Sequence, residues 1–361
     1  MKNVNLSRYA LSVCAAAVLL VGCGGLQAAS PPTSTLLAQT RATRPIVSDG
    51  SAVPSTKRAD FVYAGYTLGC GTFCFTASIN VYTFPEGRFV GSWMGAKGSY
   101  VSSECADGAG NIFVTYSYSF KSRVWKGEIL KFARGGTSVV ATLKIGNEQP
   151  QACSVDPNSG DLAVVNVGNS DTGTLLIFSG ASGSPTAFRD PGVNFYGVGY
   201  DDMGNIFADG VFRHSVTFAE LPKGGTSFKQ ITLNKPPEAV GEVQWDGRYV
   251  TLGFGIHRDA GDGLQIDRLD ITGSSAQVVG VTRLKRTPYD AISQYLFAGK
   301  EIVVAWHSQP RGCPVSGCGA EPGGVGDWSY PTGSMIVKHV TRGRAHLAEP
   351  GGVALSLGQP R

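Results

Sequence analysis

The chain reads as an all-β protein, a six-bladed β-propeller of four-stranded blades, and three observations predict it. The first is a recurring phrase, Asp-x-x-Gly-Asn followed by an apolar run. It stands at Asp107-Gly108-Ala109-Gly110-Asn111-Ile112-Phe113-Val114 and again at Asp201-Asp202-Met203-Gly204-Asn205-Ile206-Phe207-Ala208. A variant reads Asp156-Pro157-Asn158-Ser159-Gly160-Asp161-Leu162, and worn copies stand at Asp246-Gly247-Arg248-Tyr249-Val250 and Ala298-Gly299-Lys300-Glu301-Ile302. With an opening unit at Asp60-Phe61-Val62-Tyr63, the starts lie 47, 49, 45, 45 and 52 residues apart. A period of about 40–50 residues with several strands per unit is the mark of a propeller. The second observation is an independent register marker. Arg134-Gly135-Gly136-Thr137-Ser138 returns as Lys223-Gly224-Gly225-Thr226-Ser227, 89 residues or two repeats later. The third is composition. Gly supplies 49 of 361 residues and charged residues only 16%, which suits many tight turns in an exported β-domain.

One unit shows how a blade is made. Residues 100–106 form a short first strand that enters the turn at Asp107–Gly110. Residues 111–118 alternate and are rich in β-branched and aromatic side chains, as a second strand requires. Residues 121–126 are a loop, 128–132 a third strand, 134–138 a hairpin turn and 139–145 a fourth strand. Asp, Gly and Asn supply the backbone angles and local hydrogen bonds of tight turns, so Asp107, Asp156, Asp201 and Asp246 are structural rather than catalytic. Second strands begin near Phe61, Ile112, Leu162, Ile206, Tyr249 and Ile302, which gives six blades. The opening unit lacks a first strand, and residues 350–357 read as one. The C-terminus is therefore expected to complete the first blade and close the ring, removing an open sheet edge.

The phrase resembles the repeat unit of NHL-class propellers, apolar-x-Asp-x-x-Gly-Asn-apolar, over about residues 60–357. The likeness is good in units two to four and weaker in five and six. The Trp-Asp pair of WD40 units occurs once, at Trp245-Asp246, and does not recur. The resemblance implies a propeller. Because that class includes binding modules and some lyases and lactonases, it implies no single activity.

The N-terminus reads as an export signal. Lys2 and Arg8 precede an apolar stretch from Ala10 to Val21, too short to span a bilayer as a helix and laid out as a secretory signal. Its ending, Leu20-Val21-Gly22-Cys23, resembles a bacterial lipobox, so residues 1–22 are expected to be a lipoprotein signal and Cys23 the lipidated residue. Gly24 in place of Asp favours the outer membrane by resemblance to Gram-negative sorting signals. Residues 23–58, rich in Pro, Ser and Thr, read as a flexible tether, and residues 59–361 as the propeller domain. After signal removal 29 basic residues face 27 acidic ones, which leaves no footprint for nucleic acid.

Six cysteines remain beside Cys23: Cys70, Cys74, Cys105, Cys153, Cys313 and Cys318. An even number in an exported protein suggests disulfides. Cys70 with Cys74 and Cys313 with Cys318 sit in loops long enough to close on themselves, though two close pairs would also suit zinc. Cys105 lies five residues before Gly110 and Cys153 seven before Gly160, so both point to the same face of equivalent strands. A Cys105–Cys153 bridge between neighbouring blades follows.

Chemistry is sparsely signalled. His214, His257 and His307 fall just beyond the second strands of units four, five and six and are expected on one rim, where three imidazoles could hold zinc. Some NHL-like lyases bind metal through His at the propeller mouth. Glu104 and Glu242 lie on first strands and could face the central channel, where with Asn194 they could hold calcium, as lactonase-like propellers do with acidic and amide groups. The bland alternatives are solvated rim histidines and carboxylates lining a wet channel. No nucleophile elbow, His-Glu-x-x-His or phosphate loop is present. The segment 309–330, with Cys313, Cys318 and Trp328, interrupts unit six and reads as a pinned loop presenting an exposed Trp. The expected function is a lipid-anchored envelope module that binds a protein, glycan or small ligand on the rim of His214, His257, His307 and Trp328, with no cofactor. The alternative is a metal-assisted hydrolase or lyase.

Overall fold

The computed structural model describes residues 60–69, 75–119, 125–168, 172–237, 239–256, 263–284, 291–308, 321–339 and 348–358. Blade one contains β1 (Asp60–Gly69), β2 (Phe75–Phe84) and β3 (Phe89–Lys97). Blade two runs β4 (Ser99–Ala106), β5 (Ile112–Ser119), β6 (Trp125–Phe132) and β7 (Val139–Gly146). Blade three runs β8 (Gln149–Val155), β9 (Leu162–Val167), β10 (Thr174–Phe178) and β11 (Thr186–Phe188). Blade four runs β12 (Val193–Tyr200), β13 (Ile206–Phe212), β14 (Ser215–Leu221) and β15 (Lys229–Gln230). A short β16 (Thr232–Leu233) precedes blade five, which runs β17 (Glu242–Trp245), β18 (Val250–Ile256), β19 (Gly263–Thr272) and β20 (Ser275–Arg283). Blade six runs β21 (Ala291–Ala298), β22 (Glu301–Ser308), β23 (Glu321–Ser329) and β24 (Met335–His339), and β25 (Ala348–Ser356) is the last strand described.

The sheets are antiparallel meanders whose first strands neighbour one another around the axis. Ring closure is as expected: β25 pairs with β1, Val62 opposite Leu355 and Ala64 opposite Val353, and becomes the innermost strand of blade one. Five sheets have four strands, and blade five has a fifth. There β16 leaves blade four and lies parallel along β20, Thr232 opposite Ser275. Asn234 Oδ1 accepts the Val278 N–H at 3.0 Å beside it, so part of an outer edge is covered.

The Asp phrase makes the turn between first and second strands. Asp107 Oδ1 accepts the N–H groups of Ala109 (3.0 Å) and Asn111 (2.8 Å), and Oδ2 accepts Asn111 Nδ2–H at 2.7 Å. Asp201 makes the same three bonds with Met203 and Asn205 at 2.8–2.9 Å. Gly110 and Gly204 have φ of 81° and 85°, a region a Cβ disfavours. The apolar run that follows is buried between blades. Phe113, Leu162 and Val164 meet Ile129 and Phe178 in one core cluster, which Cys153 joins. Cys105 and Cys153 are bridged there, with Cα atoms 5.8 Å apart. Cys70, Cys74, Cys313 and Cys318 lie outside the described residues.

The segment 309–330 is a correction. Residues 321–329 are not loop but β23, the third strand of blade six, and residues 309–320 lie outside the described set. Trp328 pairs opposite Ile302 and is fully buried with Leu264, Ile266 and Trp306. Strand alternation turns its ring onto the face packed against blade five. It is a core residue, not an exposed contact.

Candidate functional site

The innermost strands run toward the Asp turns, and part way along them the pairing slips. Register breaks fall between Val101 and Glu104, between Pro150 and Ala152, between Phe195 and Gly197, and between Ile292 and Gln294. In blade one the slip falls at Gly65–Tyr66 of β1, opposite β25. A bulge leaves one residue unpaired and re-aims its side chain. Here Ser102, Gln151 and Tyr196 are such residues, and all three line one cavity of about 210 Å³. Gly241, just before β17, lines it too. Each of these four stands five residues before its turn Asp: Asp107, Asp156, Asp201 and Asp246. At strand rise this places the cavity about 17 Å from the Asp turns, toward the opposite end of the ring.

The walls come from first strands of blades two to six, so the cavity lies on the axis, and blade five contributes most of its wall. Phe254, Gly255 and Leu264 add an apolar side, and Gln294 and Tyr295 come from blade six. Gln294 also ties three consecutive blades together. Its Oε1 accepts the N–H groups of Glu104 (2.9 Å) and Val353 (3.0 Å), and its Nε2 donates to Glu104 O at 2.6 Å. One amide thereby joins blades six, one and two, with both acceptor positions of its oxygen and one of its two N–H donors used. The backbone approaches closely nearby. A Cβ on Gly253 would lie 2.1 Å from the Tyr295 ring and one on Gly241 only 1.7 Å from Gly253 O, so neither position admits a side chain as the strands stand.

The carboxyl groups here are buried. Asp209 on β13 is fully buried, accepting Gly197 N–H (2.7 Å) on Oδ1 and Gly241 N–H (2.5 Å) on Oδ2. It fastens the first strand of blade four to that of blade five. Burial raises its pKa to about 7, and the two glycine N–H groups offset part of that. Glu242 is 8% exposed and lines the cavity beside Gly241. Its Oε1 accepts Gln244 Nε2–H at 3.0 Å. Burial pushes its pKa well up, the Gln244 bond opposes this, and the nearby Asp209 charge adds to the rise. Burial also raises the Tyr196 hydroxyl, with Asp209 contributing.

The residues anticipated from the sequence are scattered. Glu104 and Glu242 both stand on innermost strands, but in different surroundings. A Cβ on Gly65 would lie 2.6 Å from Glu104 Oε1, so that carboxyl is pressed against blade one. Neither of its oxygens makes a well-formed hydrogen bond. Burial lifts its pKa to about 8, and the Ala354 N–H lowers it by less. Asn194 is half-buried on β12 with a partnerless Oδ1, away from the cavity lining. His214 is exposed in the two-residue turn between β13 and β14. His307 is within β22, opposite Ala291, and His257 lies outside the described residues. Among the described residues no three His, Cys, Asp or Glu side chains gather as a metal-binding group. Asp209 went unnoticed in the sequence, although a carboxylate within the apolar run 206–212 was a signal. So was the position five residues before each turn Asp, which unlike side chains occupy.

No family model matches the chain, and no curated protein matches it by sequence. Among solved structures it is similar to a protein of unknown function from Bacteroides caccae, with a TM-score of 0.52 and 13% identity over 82% of this chain and 98% of that one. It is also similar to TolB from Acinetobacter baumannii, with a TM-score of 0.50 and 14% identity over 82% of this chain and 66% of that one. At such identities the likeness is one of fold, and the chain is a six-bladed β-propeller with TolB-like structural neighbours.

Proposed function

We propose that this protein is a lipid-anchored binding module of the bacterial envelope, with an NHL-like propeller that takes its partner at the end of the ring away from the Asp turns. The observation that carries the binding reading is the axial cavity, walled by residues from five blades, among them Gln294 held in place by its bonds to Glu104. Concave sites with a few convergent polar groups are the usual seats of ligands. The basic start, the apolar stretch and Leu20-Val21-Gly22-Cys23 support export and lipidation at Cys23. Gly24 supports the outer membrane, and residues 23–58 then serve as the tether.

Two measurements test the reading. Cys23→Ala should abolish metabolic labelling with palmitate and move the protein from the membrane fraction to the soluble one. A photo-crosslinking residue at position 212, exposed beside the β13–β14 turn, should capture an envelope partner in cells, and one at position 109, in an Asp turn, should not. Equal capture at both ends, or capture only at position 109, would place the partner elsewhere and overturn the assignment of the binding end.

A further inference from the structure

The axial cavity has an uncompensated wall. Among the described residues Glu242 is its only acidic lining residue, and no Lys, Arg or His lines it. Among the described residues no ion pair reaches Glu242, and its only charged neighbour of note is another acid, Asp209. A buried carboxyl without a counter-charge is costly and functional sites are where such groups gather. The neighbouring polar groups are largely spent. Asp209 is occupied by two backbone N–H groups and Gln294 by three hydrogen bonds. What remains is the Glu242 carboxyl, the Gln151 amide oxygen and the Ser102 hydroxyl, in a lining that also holds Phe254 and Tyr196. One negative charge matches a monocation. Amide, hydroxyl and carboxyl oxygens match the three hydrogens of an ammonium group, and aromatic rings add cation–π attraction.

Resting on the reading of the cavity as the binding site, we infer that it receives a primary ammonium group, with the Glu242 carboxylate as its counter-ion. The group would be carried by a small amine or by an amino group of the bound partner. The elements packed around Glu242 bring Asp209 from β13, Tyr196 from β12, Tyr295 from β21 and Gln244 from its own strand. Among the described residues none of these supplies a cation, which leaves that place open to one carried by the ligand. Burial favours the protonated form of Glu242 in the empty site, and a bound ammonium group favours release of that proton.

The test is calorimetric titration of the full-length protein with ethylammonium chloride, set against calcium chloride and glucose. Ethylammonium should bind, its affinity should rise about tenfold per pH unit while Glu242 stays neutral, and about one proton should be released per site. Glu242→Gln should lose at least tenfold in affinity while melting no lower than the wild type. Gln151→Leu, on the opposite wall, should weaken binding without removing the pH slope. Binding of calcium or glucose but not ethylammonium would overturn the inference, as would ethylammonium binding unchanged by Glu242→Gln or independent of pH. If ethylammonium fails while position 212 still captures a partner, the ammonium assignment falls and the binding-module reading stands; if both fail, both fall.

Discussion

Asp201 and Glu242 are buried carboxyl groups on adjacent blades, and the fold uses them in opposite ways. Asp201 belongs to the turn end of the propeller, where its two oxygens accept three hydrogen bonds from the next four residues. Glu242 belongs to the cavity end, where one oxygen is held by Gln244 and the group faces open space. The contrast extends to their neighbours. At the turn end, the bonds of Asp107 and Asp201 are local and repeat from blade to blade, with a few cross-blade ties beside them such as Asn158 to Asp202 and Tyr330 to Asp246. At the cavity end they cross between blades: Asp209 reaches Gly241 and Gln294 reaches Glu104, 190 residues away. A repeat can encode the first kind in every copy, whereas the second kind depends on which blade sits next to which. The turn end therefore carries the scaffold and the cavity end carries what is individual to this protein.

The largest test of that contrast is pH. Glu104 has a pKa of about 8 in the folded protein against 4.5 for the free group, so the folded state holds its proton more tightly than the unfolded chain. Its contribution to stability is full below pH 4.5 and is lost as pH rises to about 8, with a span of about 5 kcal/mol at most. Denaturant midpoints across pH 4–9 should fall in the wild type and fall much less in Glu104→Gln. Asp209 adds a slightly smaller span in the same direction, between 3.8 and about 7. An identical pH profile in Glu104→Gln would show that water reaches this carboxyl and would remove the contrast between the ends.

Next in size is the bridge between blades two and three. Cys105 and Cys153 close a loop of 48 residues, and chain-entropy arguments put its loss at about 4 kcal/mol. Cys105→Ala with Cys153→Ala should lower the denaturant midpoint accordingly and leave ethylammonium titration intact, because neither residue lines the cavity. A loss of binding would show that the ring transmits strain from this interface to the axis.

At the turn end the expected effects are smaller. Asp201→Ala removes three hydrogen bonds from a buried group and should cost about 2–3 kcal/mol. Asp107→Ala, with the same bonds in a more exposed turn, should cost less. Both are read from thermal or denaturant unfolding. Should either abolish partner capture while the protein stays folded, the division of labour between the two ends would be wrong.

What could be read in advance follows the same line. The Asp turns, the six units, the closing strand and the Cys105–Cys153 bridge rest on repetition, parity or strand count, all visible along the chain. Trp328 was misread because a Cys- and Gly-rich run preceded it, and only the pairing of β23 with β22 shows that its ring turns inward. The fifth strand of blade five is two residues of parallel pairing with no periodicity to announce it. The cavity residues Ser102, Gln151, Tyr196 and Gly241 share a place and no chemistry, so a search by residue type passes over them.

The smallest expected effect is also the one that best separates fold from function. The turn joining β13 to β14 has two residues, Arg213 and His214, with φ of 46° and 69°. Positive φ at both central positions is the type I′ arrangement, which Asn-Gly fills far more easily than Arg-His. Neither side chain eases the geometry. His214 is exposed, and Arg213 lies over the ring of Phe212, itself 38% exposed, at 5.1 Å. Strained residues kept on an exposed tip point to use rather than stability. Arg213→Asn with His214→Gly should therefore raise stability by about 1–2 kcal/mol, seen as a higher denaturant midpoint. The same variant should weaken capture through a photo-crosslinker at position 255 on the cavity wall, because the tip lies at that end of the ring. Greater stability with undiminished capture would assign the strain to the hairpin alone and leave His214 as a solvated side chain.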